Sequence, residues 1–133
     1  MNRICQVVGR LMCLMALPLS LAHAAAVCDT LDTPAMQAPQ AKSAVLLDLA
    51  RAGARLVAVG ERGIVLLSDD NGVSWRQTAV PVSVSLTAVQ FIDANTGWAV
   101  GHAGVVLVSH DGGEHWALQL DGLRAAQLEL ASA

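Results

Sequence analysis

Two carboxylates, Asp70 and Asp111, stand in the same local frame: Ser68-x-Asp70-x-Gly72-x-x-Trp75 and Ser109-x-Asp111-x-Gly113-x-x-Trp116. A carboxylate in such a setting has three uses. It can act as a general acid or base, hold a calcium ion, or accept hydrogen bonds from the N–H groups of a turn. Recurrence separates these uses. An active site occurs once in a domain, whereas this frame returns after 111 − 70 = 41 residues. The turn role is therefore expected for both aspartates. Gly72 and Gly113 supply the positive φ that a tight hairpin needs. Asp70 and Asp111 accept from its unpaired N–H groups. Trp75 and Trp116 open the following strand, with their rings beneath the hairpin or between neighbouring units. All eight residues are read as structural. No catalytic residue, cofactor site or metal site is expected.

His102, His110 and His115, with Glu114 beside them, form a second cluster worth testing for chemistry. His110 and His115 flank one turn, and His102 lies in the turn at the other end of the intervening strand. A five-residue strand separates those turns by roughly 17 Å. One metal ion cannot reach all three, so they are read as solvated loop histidines. No phosphate loop, nucleophile elbow or HExxH pattern is present.

The elements that must carry these residues follow from the repeat. Aligned without a gap, residues 56–75 and 97–116 agree at ten of 20 positions. A period near 40 fits four short strands joined by turns, one blade of a propeller. Turn residues divide the first unit into strands at Val45 to Arg51, Arg55 to Gly60, Ile64 to Ser68 and Ser74 to Val80. The second unit gives Leu86 to Ile92, Gly97 to Gly101, Val105 to Ser109 and His115 to Leu120. The blades are expected at about 44–81 and 85–121, within a domain spanning 44–122. The tail, 123–133, is rich in helix formers and reads as a short helix or the start of a further blade.

The frame is the Asp-box, or BNR repeat, shared by sialidases, sortilin-type receptors and photosystem II assembly factors. The stretches L-V-A-V-G-E-R-G-I-V-L-L-S-D-D-N-G-V-S-W (56–75) and L-T-A-V-Q-F-I-D-A-N-T-G-W-A-V-G-H-A-G-V-V-L-V-S-H-D-G-G-E-H-W (86–116) resemble the photosystem II stability and assembly factor-like family. Phe91, Asp93, Gly97, Trp98, Ala99, Val100 and Gly101 match the stretch that opens a blade in that family. The resemblance covers roughly residues 44–130. It implies an exported seven-bladed propeller that assists assembly of a membrane complex, photosystem II in phototrophs. The chain departs from the family in length. A closed ring needs about 160 residues for four blades or about 290 for seven, and two units are present. A fragment or truncated reading frame is expected, with a ring of several chains as the alternative. Sialidases use a Tyr nucleophile, and the chain has no Tyr. An Asp-box glycosidase remnant is therefore the lesser alternative, beside a nonfunctional truncation.

The N-terminus reads as a secretory signal peptide, 1–24. Arg3 and Arg10 precede an apolar run from Leu11 to Leu21, and Ala22-His23-Ala24 is a small-x-small cleavage site. The run is shorter than the roughly 20 residues of a spanning helix. Export, to the periplasm, the outside or a thylakoid lumen, is the expectation. The mature chain would carry six basic and 11 acidic residues, 6 − 11 = −5. That charge disfavours nucleic acid and anionic lipid. Cys28 would be the only remaining thiol, so no intrachain disulfide is expected. Residues 25–43, with Pro34 and Pro39, read as a flexible linker. The expected partner is a protein, a membrane complex or its subunits, with self-association through exposed blade faces also open.

Overall fold

The computed structural model describes residues 31–38 and 41–132. The expected signal peptide and Cys28 lie outside them. The chain forms two four-stranded antiparallel sheets, each a simple meander. The first contains β1 (Leu46–Ala52), β2 (Arg55–Gly60), β3 (Val65–Ser68) and β4 (Arg76–Thr78). The second contains β5 (Leu86–Phe91), β6 (Gly97–Gly101), β7 (Val106–Ser109) and β8 (Ala117–Leu120). A C-terminal helix, α1, spans Gly122–Ser132. These are two blades of the expected Asp-box propeller, and the sheets repeat in detail. Each first strand carries a register irregularity, between Leu46 and Asp48 and between Leu86 and Ala88.

The turn between the second and third strands is a single 3-10 turn in each blade, Glu61–Gly63 and His102–Gly104. Arg62 and Gly63 both have positive φ, 55° and 73°, and Ala103 and Gly104 repeat this at 57° and 68°. Two left-handed residues in a row reverse the chain at once. The middle of this turn thus tolerates Arg or Ala at the αL cost of about 1–2 kcal/mol, because the strands on either side hold it.

The fourth strands are shorter than the Ser74 to Val80 and His115 to Leu120 expected from sequence. They begin at Arg76 and Ala117. The N–H groups of Ser74 and His115 donate to Asp70 and Asp111 instead of to the ladder. Each tryptophan therefore stands one residue before its strand.

The blades stack face on face. Val57, Val59, Val65 and Leu67 of blade 1 share one core with Val89, Ala99, Leu107 and Trp116 of blade 2. These come from opposite faces of the repeat. Val57 and Leu67 are cross-strand partners on one side of blade 1, while Ala99 and Leu107 are partners on the side of blade 2 that corresponds to Ala58 and Leu66. The connector adds Val80, Val82, Val84 and Leu86 to the same core. Phe91 meets Trp116 edge to face, with ring centroids 6.0 Å apart. The first strands are also tied directly, since the Val89 N–H donates to Asp48 Oδ2 at 2.8 Å.

The expected linker 25–43 needs correction where it is described. Leu31, Ala35 and Ala41 are buried. The Ala35 N–H donates to the Val80 carbonyl at 2.9 Å, and Gln77 Nε2 donates to the Met36 carbonyl at 2.9 Å. The segment lies along β4 through the Gln77 side chain and joins the chain just beyond it at the Val80 carbonyl, while its apolar residues enter the core. Composition alone marked it as linker because its partners lie about 40 residues away.

Leu107 is fully buried between the blades, whereas Leu128 on α1 is exposed. Leu107→Ala is expected to destabilise the chain by about 2–5 kcal/mol. Leu128→Ala should fall within about 0.5 kcal/mol of the parent. Urea unfolding followed by tryptophan fluorescence checks both.

Candidate functional site

Each Asp-box builds a closed hydrogen-bonded unit at the hairpin between the third and fourth strands. In blade 1, Ser68 Oγ donates to Asp70 Oδ1 at 2.9 Å and accepts from the Gly72 N–H at 2.7 Å. Asp70 Oδ1 also accepts from the Ser74 N–H at 2.8 Å, and its Oδ2 from the Ser74 hydroxyl. Trp75 Nε1 donates to the Gly72 carbonyl at 3.0 Å. Blade 2 repeats the pattern. Ser109 Oγ donates to Asp111 Oδ1 at 2.9 Å and accepts from the Gly113 N–H at 2.9 Å. Asp111 accepts from the His115 N–H at 2.9 Å, its Oδ2 lies 2.6 Å from His115 Nδ1, and Trp116 Nε1 donates to the Gly113 carbonyl at 2.9 Å.

The structure thus places all eight motif residues in two separate hairpins, each group of four together. Gly72 and Gly113 have φ of 89° and 88°. The preceding residues, Asn71 and Gly112, also have positive φ, 63° and 69°. Sequence reasoning missed that second left-handed position. The signal was available, since Asn and Gly are the residues that occupy it most readily. The tryptophans differ in surroundings. Trp116 is buried in the core between the blades, while Trp75 lies half-buried against Ala58, Ile64 and Leu66 on the far face of blade 1.

The carboxylates are held ionised. Bonds from the Ser74 side chain and backbone, with the Ser68 hydroxyl, bring the Asp70 carboxyl down to about 2. For Asp111, partial burial pushes upward, but the His115 backbone and ring and the Ser109 hydroxyl outweigh it, again giving about 2. Groups of this kind make poor proton donors near neutral pH.

A second polar cluster lies across the junction of the blades. Arg55 Nε donates to Asp69 Oδ1 at 2.6 Å, and its Nη1 reaches Glu114 Oε1 at 2.9 Å and the Gly112 carbonyl at 3.2 Å. Arg76 pairs with Glu114, Nη1 to Oε2 being 2.9 Å. Thr78 Oγ1 donates to the Glu114 carbonyl at 2.6 Å. Bonds from Arg76 first, and charge from Arg55 as well, lower the Glu114 carboxyl. These residues were invisible to the repeat search because they sit where the repeat breaks. Arg55 corresponds to Thr96, and Glu114 corresponds to Val73.

The three histidines do not converge. Among the described residues no three His, Cys, Asp or Glu side chains are grouped to hold a metal ion. No described helix is long and apolar enough to cross a membrane.

The sequence profile of the family described as photosynthesis system II assembly factor YCF48 matches residues 67–132, from the end of β3 through α1. Among solved structures, YCF48 bound to a D1 peptide superposes with a TM-score of 0.54 at 26% sequence identity. The match covers 65% of this chain and 29% of that one, so the chain spans under a third of that protein's length. A search of curated proteins gives no match.

Both Asp-box carboxyls are depressed from a reference of 3.8 to about 2. Their stabilising contribution is full above pH 3.8 and is lost as pH falls through the folded value near 2. The melting temperature is therefore expected to drop between pH 4 and pH 2, and an Asp70→Asn/Asp111→Asn variant should lose the share of that dependence that these two carboxyls carry. Scanning calorimetry across this range checks it. Separately, Glu114→Gln is expected to cost about 0.5–1 kcal/mol and to flatten the salt dependence of stability, read from urea midpoints at low and high salt.

Proposed function

We propose that this chain, whose residues 67–132 match the profile of the photosystem II assembly factor family, serves as an exported, non-catalytic propeller scaffold that helps assemble or stabilise a membrane protein complex. The likeness to YCF48 in its peptide-bound form carries this reading. By that analogy the client is a segment of a membrane-complex subunit, bound as a peptide. D1 is the candidate in a phototrophic host.

The non-catalytic part has physical support in the two hairpins. Each Asp-box carboxylate is engaged by donors of its own turn and is ionised well below neutral pH. We read Ser68, Asp70, Gly72, Trp75, Ser109, Asp111, Gly113 and Trp116 as holding the fold. No observation favours the glycosidase alternative to a comparable degree. Export is read from the N-terminal signal pattern, with the periplasm, the outside of the cell or a thylakoid lumen as the proposed destination. The reading that the two blades are part of a larger propeller agrees with the 29% coverage of the matched structure.

Cross-linking in intact host cells, followed by purification of a tagged chain from solubilised membranes, tests the proposal. Recovery of one membrane-complex subunit, with cross-links confined to a single peptide segment, is the expected result. Recovery of soluble proteins alone would sink the scaffold reading.

A further inference from the structure

Position 71 departs from the repeat with a residue that has chemistry of its own. Blade 2 places Gly112 there, and blade 1 places Asn71. Asn71-Gly72 is the one Asn-Gly pair in the chain. The backbone nitrogen that follows an asparagine can attack the side-chain Cγ. Glycine hinders this attack least, because it has no Cβ. The Cγ–Nδ2 bond breaks, ammonia leaves with the proton of the Gly72 N–H, and a five-membered succinimide remains. Water then opens the ring at either carbonyl. One product is aspartate. The other is isoaspartate, whose main chain runs through Cγ.

The closed hairpin opposes the first step. Asn71 and Gly72 have φ of 63° and 89°, and the Val73 N–H donates to the Asp70 carbonyl at 3.4 Å. This is a type I′ turn, in which ψ of the first central residue is about +30°. At that angle the Gly72 nitrogen points away from Cβ of Asn71, and ring closure needs the Asn71–Gly72 peptide turned over. The Asp-box resists that rotation. The Gly72 N–H is spent on Ser68 Oγ at 2.7 Å, and Ser68 Oγ is itself fixed by donating to Asp70 Oδ1 at 2.9 Å. The Asn71 side chain is tied as well, since Arg51 Nη2 donates to its Oδ1 at 3.2 Å. All these partners belong to blade 1, so the restraint is the same whatever lies beside the blade.

We propose that Asn71 is a site of spontaneous deamidation and that its own Asp-box holds the reaction back. The hairpin reacts only in an open form, after the Gly72 N–H has left Ser68. The two products then differ. Aspartate keeps the turn, because it tolerates the left-handed conformation, and it sets a carboxylate against Arg51. Isoaspartate adds a methylene to the main chain between Asp70 and Gly72, so the Gly72 N–H no longer returns to Ser68 Oγ. That product lacks a closed Asp-box in blade 1. Blade 2 has no carboxamide at this place and is untouched. The reaction needs only water, so its extent records how often the hairpin has opened.

Incubation of the full chain in mildly alkaline buffer, with deamidated peptides mapped by mass spectrometry, tests this proposal. In urea, Asn71 is expected to convert well before Asn95, whose neighbour is Thr96. In the folded chain, conversion at Asn71 should slow by at least the protection that hydrogen exchange measures at the Gly72 amide, because both require the same bond to break. Ser68→Ala should raise the folded rate about tenfold and leave the rate in urea unchanged. A slowing smaller than the amide protection would overturn the proposal, as would an Asn71 that survives in urea. So would a folded rate indifferent to Ser68→Ala with circular dichroism unchanged. The comparison of folded and unfolded parent chain decides the matter even where Ser68→Ala fails to fold. None of these readouts involves a client, so the scaffold reading stands or falls separately.

Discussion

One carboxylate per blade does the work that backbone pairing cannot do at the hairpin. Two successive left-handed residues, Asn71-Gly72 or Gly112-Gly113, turn the chain too sharply for ladder bonds to continue. The N–H groups beyond them would be left without partners. Asp70 and Asp111 take those groups, and Ser68 and Ser109 add a bond to the glycine N–H. The turn then delivers the tryptophan at a fixed height, with its ring N–H returned to the glycine carbonyl. Fourth-strand position, and with it the width of each blade, depends on that arrangement.

The two tryptophans, delivered alike, meet different neighbours, and this difference describes the architecture. Trp116 closes the contact between the blades beside Phe91, while Trp75 lies on the outer side of blade 1. A blade is a sheet with two apolar faces, so it cannot be finished by one neighbour. The buried connector from Val80 to Leu86 shows how the chain economises. The link between blades is itself part of the core.

Sequence made most of this legible because the repeat compares the chain with itself. The strand count, the order of the meander, the turn positions and the motif glycines all follow from residues that recur. What escaped was whatever does not recur or acts at long range. Arg55 and Glu114 occupy positions whose counterparts are Thr96 and Val73, so the alignment discarded them. Leu31, Ala35 and Ala41 looked like linker because their partners on β4 and blade 1 are distant in sequence. The fourth strands began late because side chains, not the ladder, claimed the N–H groups of Ser74 and His115.

Identical building blocks raise a problem of order. Blades alike in shape can pair with the wrong neighbour while the chain is still folding, a common failure of repeat proteins. The Arg55–Glu114 contact, reinforced by Arg76 and by Thr78 on the Glu114 carbonyl, occurs where the two blades differ. It reads as an address. Blade 1 therefore meets blade 2 through charge as well as apolar packing, and a blade without Glu114 in that place would lack the contact.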